Sequence, residues 1–510
     1  MLTHGNMTIY TYLQKQAKKY PDKVFIYFED EAITYQNMEK RVNQTAAWLE
    51  QQGVKKHDTV AVMLKNSPVF YDIWFACGAL GAVLLPINTA STPNELSYFL
   101  EHSDSRGFIY DTSLITEKHR AIFTELKQLL FCKSNDSDWN NEIDVQRNDA
   151  HNHNVNARDV CGIMYTSGTT AKPKGVLITH ENYLYAGHSS VLYQQLRPDD
   201  RYMIFLPLFH ANSQYYTSMA TLVVGGSIIL LEKFSANTFW DTVEKYQPTV
   251  SSFVATIIKI LLKLEIHPYE KQHSIRQVGY GLFVPKQDID AFKERFGIQL
   301  FQWFGMTESI TTNITTPLYS EMPVDEQTGI LALGKPALGQ EVKIIDEIGN
   351  ECSFNTVGEI IIKSPSLMKG YYKNEEATSS TIIDGWLHTG DNGYMNEEGY
   401  IWFVDRNKDM IKRAGENISS LEIENVLSGH PGIANCAVVA APDELREEKV
   451  VAYIELSEME VTEEALRAYC EERLSSFKIP EEFYFIDEFP RTSIGKIQKN
   501  ILRQEHQQSR

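Results

Sequence analysis

A chain of 510 residues can bury a large core and is long enough for roughly two to four domains. Its 43% hydrophobic and 23% charged residues exclude disorder, a collagen-like repeat and a disulfide scaffold as the main description. The formal net charge of −19 argues against nucleic acid or an anionic membrane surface as the main partner, so a small anionic ligand would need cations of its own.

The N-terminal stretch MLTHGNMTIYTYLQK has no basic start followed by an apolar run, so no signal peptide is expected. The segment ITYQNMEKRVNQTAAWLEQQG (33 to 53) carries apolar residues at helical spacing, and TVAVML (59 to 64) is rich in β-branched residues. That order predicts a helix and then a strand. The most apolar stretch, IWFACGALGAVLLPI (73 to 87), contains a proline and is shorter than the roughly 20 residues needed to span a bilayer; it reads as a buried helix running into a strand. Thr92, Pro93, Asn94 and Glu95 spell a helix start, with a capping hydroxyl, proline at the first helical position and a carboxylate three residues after the cap. The pattern repeats with SIILLE (227 to 232) as strand, FWDTVEKY (239 to 246) as helix and VSSFV (250 to 254) as strand, which predicts doubly wound parallel sheets.

From about 341 the texture changes to short strands and turns, EVKIID, EIGN, GEIIIKS and GYIWFVDR, as expected of a small, more antiparallel subdomain. A further α/β pattern follows, with LEIENVLSG and EEALRAYCEERL helical and ANCAVVAA a strand, so a boundary is placed near Arg406 to Lys408. The fold class is therefore α/β: a large N-terminal domain of doubly wound sheets with a small β-rich subdomain, then a small α+β C-terminal domain. The six cysteines (77, 132, 161, 352, 436 and 470) form no C-x-x-C pair and no zinc-spaced cluster, which suggests reduced thiols in a cytoplasmic protein.

The chemistry concentrates in MYTSGTTAKPKG (164 to 175). Strand-like residues flank it, so it joins two strands as a hairpin and lacks the G-x-x-x-x-G-K-S/T spacing of a P-loop. A polar surface loop is one reading. The other is a phosphate cradle: backbone amides near Gly168, hydroxyls of Thr166, Ser167, Thr169 and Thr170, and the ammonium of Lys174. The string T-S-G-T-T-x-x-P-K-G resembles the signature of the adenylate-forming superfamily of acyl-CoA synthetases, luciferases and nonribosomal peptide adenylation domains. LPLFH (206 to 210), WFGMTES (303 to 309), HTGDNGYMNEEGYIWFVDR (388 to 406), KRAGENISSLEIE (412 to 424) and PRTSIGKIQK (490 to 499) are similar to that family's other motifs, in its order. FHANSQYYTSMATL, EKFSANTFW and KRAGENIS look most like bacterial crotonobetaine/carnitine-type CoA ligases.

The resemblance implies an AMP-forming reaction in which ATP and a small-molecule carboxylic acid give an acyl-adenylate and pyrophosphate, and coenzyme A then takes the acyl group. By the same resemblance Thr307 meets the α-phosphate and Glu308 binds Mg²⁺. Asp391 and Arg406 hold the ribose, and Gly281, Gln302 and Trp303 line the nucleotide. Lys496 reaches the α-phosphate and carboxylate oxygens. His210 either guides the acid's carboxylate or shuts a path to the acyl site, or is a packed histidine; it is not assigned as a general base.

Two anions must meet in the first step, so cations aimed at their oxygens are what the chemistry needs. If Lys496 fills the site then, the thiol cannot also approach. The resemblance accordingly implies a mobile C-terminal domain: residues 1–405, a hinge at 406–409 with Lys408 at its pivot, and residues 410–510. Lys412, Ala414 and Gly415 would line the pantetheine tunnel, Ala414 standing where the family often has a second glycine and Ser420 where proline is common. Asn212, Gln214 and Tyr280 are the candidates for the acyl pocket, and Tyr215, Tyr216 and Trp303 for an aromatic cage around a quaternary ammonium. A carrier-protein phosphopantetheine in place of free CoA remains a second reading, and a homodimer is allowed.

Overall fold

The computed structural model describes residues 5–508 except 136–137, 150–152, 167–171, 282, 414–415, 444–445, 458, 460 and 493–494. The apolar run at 73–87 forms the helix Pro68–Leu80 and the strand Val83–Pro86, with every strand residue buried. Gly81, at φ 70, makes the left-handed turn between them, a conformation that costs glycine nothing. The expected capping box is present: Thr92 Oγ1 accepts from the Glu95 amide, and the Glu95 carboxylate accepts from the Thr92 amide at 2.7 Å. The helix Phe239–Tyr246 and the strand Val250–Val254 fall where the periodicity puts them.

The large N-terminal domain holds two sheets of six and nine strands. In the first, Phe131–Ser134, Ser105–Tyr110, Thr59–Met63, Val83–Pro86 and Val160–Thr166 run parallel, and Lys174–Thr179 closes one edge antiparallel. In the second, Gln299–Phe304, Gln277–Gly281, Val250–Val254, Arg201–Ile204, Ser227–Leu230 and Val24–Phe28 are parallel, with short antiparallel strands added at both edges. The helices Ile9–Lys19, Tyr35–Gln51, Pro68–Leu80 and His180–Tyr193 fill the space between the sheets. Their shared core includes Tyr71, Trp74, Phe75 and Tyr183, with the Trp74 and Tyr183 rings edge-on at 5.1 Å.

The subdomain expected from 341 is an all-antiparallel sheet of Glu341–Ile345, Gly358–Lys363, Trp386–Met395, Ile382–Ile383 and Ile401–Arg406. The C-terminal domain has its own core around Ile411, Ile418, Val438, Val450 and Ile454, covered by the helices Ser420–Ser428 and Glu463–Glu471. Among the described residues no helix is long and apolar enough to cross a membrane.

This topology decides where a ligand can sit. Open parallel sheets bind ligands beyond the carboxyl ends of their strands. In the nine-stranded sheet those ends lead directly into LPLFH, Thr256, Gly281 and the Gly305–Glu308 turn, so four stretches far apart in sequence open onto one edge.

Candidate active site

The hairpin around 164–175 forms as expected: Tyr165 pairs with Gly175 and Thr166 with Lys174, while Ser167, Gly168, Thr169 and Thr170 lie outside the described residues. Its base is clamped from both sides. Tyr98 donates to the Pro173 carbonyl at 2.8 Å, and residues 369–372 run along the other edge of the return strand. There Lys369 donates to Leu177, Leu177 to Gly370, and Tyr372 to Gly175 at 2.7 Å. Lys174 leaves this strand with its ammonium 4.2 Å from the centre of the Tyr371 ring. The Tyr371 hydroxyl donates to Glu308 Oε1 at 2.8 Å. Tyr371 was not among the residues expected from sequence, where only the aromatic doublet after Gly370 marks it.

Glu308 is 7% exposed, and its backbone carbonyl accepts from Met368 at 2.8 Å. The turn that carries it with the half-buried Thr307 is tight: Met306 donates to Ser309 Oγ, and Ser309 Oγ donates to the Thr311 carbonyl. Ile310 follows at φ 53, a left-handed conformation unfavourable for a β-branched residue and held because Ile310 is wholly buried.

Asp391 and Arg406 face each other on adjacent strands, with Arg406 Nε 3.3 Å from Asp391 Oδ1. Burial raises the Asp391 carboxyl, and the charges of Arg406, Lys496 and Lys408 oppose that rise. Lys496, from the other domain, belongs to the same electrostatic group. Burial and then Arg406 pull its ammonium down to about 8, while Asp391 and Asp409 hold it up. The lysine loop is shaped by Thr492, whose amide donates to the Lys496 carbonyl at 2.8 Å and whose hydroxyl accepts from the Lys496 amide at 3.1 Å. Gly495 sits at φ 78, and a Cβ there would lie 3.4 Å from Thr256 Oγ1, at the end of the strand Val250–Val254. The loop thus touches the large domain where its parallel strands end.

Further contacts cross the domain boundary. Asn425 donates to the Thr328 carbonyl at 2.7 Å, and Leu421 packs with Ile330, Ala332 and Trp402. The Ser420 amide and hydroxyl both donate to Asp405 Oδ2, at 2.7 and 2.6 Å. The departure from proline at 420 therefore has a structural use, because proline has neither donor. Lys408 lies on an exposed turn, and Lys412 is exposed on Ile411–Arg413 with its amide donating to Glu448 at 2.6 Å; Ala414 and Gly415 lie outside the described residues. The cleft of about 1970 Å³ between the antiparallel sheet and the C-terminal domain is lined by Lys412 alone of the residues singled out from sequence.

On the acid side the outcome is mixed. His210 packs on Phe209 at 4.6 Å, and burial pulls its imidazole down to about 4, so it is neutral at pH 7. Asn212 is half-buried and accepts from Ser252 at 2.9 Å. Gln214 corrects an expectation. It is fully buried, donating to the Leu208 carbonyl and accepting from the Tyr183 hydroxyl, both at 2.6 Å, so its amide serves the interior. Its own carbonyl accepts from the Met219 amide, an i→i+5 bond that widens the helical segment Asn212–Ser218. Tyr280 is buried against Phe253 and Val278, and Tyr215 is buried with its hydroxyl on Met164 Sδ at 3.7 Å. Tyr216 and Trp303 stand together, ring centres 5.4 Å apart. Trp303 occupies the space over Gly279, where any Cβ would collide with the indole, and Gly281 lies beside its Nε1. Gln302, 8% exposed, is fixed through its backbone to Thr316 and Thr315.

An interdomain site built of one carboxylate-bearing turn, a clamped polar hairpin and a lysine from a second domain defines a class. The family model for AMP-binding enzymes matches residues 13–372, and that for the AMP-binding enzyme C-terminal domain matches residues 422–496. The chain belongs to the AMP-binding enzyme family. It is 35% identical to the crotonobetaine/carnitine–CoA ligase of Proteus mirabilis over 96% of its own length and 97% of that protein, and 34% identical to that of Salmonella typhi at the same coverage. Among solved structures it is similar to the anthranilate CoA ligase AuaEII with anthranoyl-AMP (26% identity, TM-score 0.90, 98% and 97% of the two chains). It is likewise similar to o-succinylbenzoate CoA synthetase of Bacillus subtilis with its acyl-adenylate (29%, TM-score 0.87, 98% of each chain). Within the family it is an AMP-forming acid–thiol ligase, with ATP and CoA as co-substrates. Its TM-score is 0.89 against ATP-bound MatB of Rhodopseudomonas palustris and 0.78 against the apo form, so its shape is nearer the ATP-bound one.

Proposed function

We propose that this ligase acts on a small acid bearing a quaternary ammonium group, with Lys496 as the residue that serves α-phosphoryl chemistry. The observation that carries the catalytic part is that the Lys496 loop reaches Thr256 at the strand ends of the large domain, with the charges of the Asp391–Arg406 pair acting on Lys496. In the first step a carboxylate oxygen attacks the α-phosphorus and the bond to pyrophosphate breaks, giving the acyl-adenylate. The Lys496 ammonium lies between the two anions and offsets their repulsion. Asp391, with two acceptor oxygens, takes the ribose hydroxyls, Arg406 steadies it, and Thr307 meets the α-phosphate. Lys174 and the hairpin hold the departing phosphates. In the second step the CoA thiol attacks the acyl carbonyl, the carbon–oxygen bond to AMP breaks, and the thiol proton leaves to solvent.

Glu308 suits a magnesium ion: it is a buried carboxylate whose Oε1 is oriented by the Tyr371 hydroxyl. No cluster of three or more His, Cys, Asp or Glu among the described residues could hold a metal, so phosphate and water would complete the shell, as magnesium prefers. When bound, the ion neutralises charge on the phosphates.

The hinge is proposed at 406–409 around Lys408, between domains 1–405 and 410–510. Rotation there would break the Asp405–Ser420 and Thr328–Asn425 bonds and withdraw Lys496, making room for the thiol. The substrate class is supported by the identity to crotonobetaine/carnitine–CoA ligases, and the Tyr216–Trp303 pair, ring centres 5.4 Å apart, keeps two of the three cage candidates together. The test compares kcat/KM for crotonobetaine, carnitine, acetate and a long-chain fatty acid, with free CoA or a carrier protein as acceptor. A preference for the betaine acids and for CoA is expected; a preference for the fatty acid or the carrier protein would refute the proposal.

A pH dependence follows from Lys496. Its ammonium is the working form, and its value is lowered to about 8, so the protonated fraction falls through the range above that. The kcat/KM for ATP in pyrophosphate exchange should be level below about pH 8 and fall roughly tenfold per unit above it. A profile flat to pH 10 would remove Lys496 from this role.

A further inference from the structure

Two groups that face the nucleotide's phosphates in this account, Glu308 and Lys174, come from segments 134 positions apart in sequence, and a single side chain touches both. Tyr371 donates its hydroxyl to Glu308 Oε1 at 2.8 Å and lays its ring beneath the Lys174 ammonium, 4.2 Å from the centroid. We propose that Tyr371 is a positioning residue for nucleotide binding, orienting the Glu308 carboxylate toward magnesium and parking Lys174 beside the phosphate hairpin.

The placement of Tyr371 is over-determined, as a positioning group requires. Its side chain is 6% exposed, its amide donates to Thr378 Oγ1 at 2.9 Å, and its backbone bridges Val176 on the strand that begins at Lys174. The neighbouring Tyr372 amide binds the Gly175 carbonyl, and the Met368 amide binds the Glu308 carbonyl, so the segment is laced to the hairpin and to the Glu308 turn. The hydroxyl fixes one oxygen of Glu308, Oε1.

The choice of tyrosine has a reason in charge. A phenol hydroxyl donates to the Glu308 carboxylate without bringing a positive charge to it. A lysine or arginine at this place would orient Glu308 equally well but would neutralise it and compete with a metal ion. The ring face, in turn, attracts the Lys174 ammonium weakly enough for phosphate to reclaim it. One tyrosine thus holds a carboxylate through its hydroxyl and an ammonium through its ring.

This inference rests on the nucleotide reading of Glu308 and Lys174, and the experiment separates the two. ATP binding is measured by titration calorimetry without acid or CoA, across Mg²⁺ concentrations and in EDTA, for the wild type, Tyr371→Phe, Tyr371→Leu and Glu308→Gln. Tyr371→Phe keeps the ring and loses the hydroxyl; it should raise the half-saturating Mg²⁺ about tenfold, the usual size for loss of a group that orients a metal ligand, and leave ATP binding in EDTA unchanged. Tyr371→Leu should add a few-fold loss of metal-free ATP binding, because the cation–π contact goes too. If Tyr371→Phe leaves the Mg²⁺ dependence unchanged, or strengthens it, while Glu308→Gln abolishes it, Tyr371 does not position Glu308. If Glu308→Gln also behaves as wild type, the metal assignment of Glu308 fails and the role of Tyr371 with it.

Discussion

Lys496→Ala should lower adenylate formation by on the order of 10²–10³-fold while leaving thioester formation from pre-made acyl-adenylate within a few-fold of wild type. The lysine sits in the same group of charges as Asp391 and Arg406, where burial weakens its hold on the proton and so strengthens each interaction it makes with an anion. Only in the first half-reaction do a carboxylate and a phosphate have to be brought together; once the adenylate exists, that repulsion is gone. Pyrophosphate exchange reads the first half-reaction and CoA-dependent consumption of synthetic adenylate reads the second. Equal losses in both would mean that Lys496 supports the fold of its loop and not the chemistry.

Asp391→Asn should act in two ways at once. Loss of the charge weakens two hydrogen bonds to the ribose, each worth about 1.5–3 kcal/mol when the acceptor is ionised, so the KM for ATP should rise by on the order of 10²-fold. It also removes a group that holds the Lys496 proton in place, leaving Asp409 alone against Arg406 and Lys408. The alkaline fall of kcat/KM should therefore move to lower pH than in the wild type. A KM increase with an unmoved pH limb would confine Asp391 to the ribose and break the electrostatic link proposed here.

Much of the fold was legible in the chain because its signals are local. The capping box at Thr92, the helix Phe239–Tyr246 and the hairpin at 164–175 each depend on residues within a few positions of one another. The order of the site motifs was legible for the same reason, each being a short string. What failed depends on distant partners. Gln214 looks like a ligand-facing amide because it follows His210, but its partner Tyr183 lies 31 positions away on another helix. Tyr371 stands 63 positions from Glu308, and nothing in its neighbours predicts that contact. Ser420 reads as an unexplained replacement until Asp405, 15 positions earlier, is brought against it. Strand pairing between Val176 and the segment at Tyr371 is of the same kind, since register across a long loop leaves no periodic trace.

In the proposed reaction an acid is activated on ATP before any thiol takes part. The most direct measurement is exchange of labelled pyrophosphate into ATP in the presence of crotonobetaine or carnitine, first without CoA and then with it. Exchange that requires the acid and proceeds without CoA, followed on CoA addition by AMP and thioester in equal amounts, is the predicted result. Exchange that ignores the acid, or acyl-CoA formation accompanied by ADP and phosphate, would contradict it.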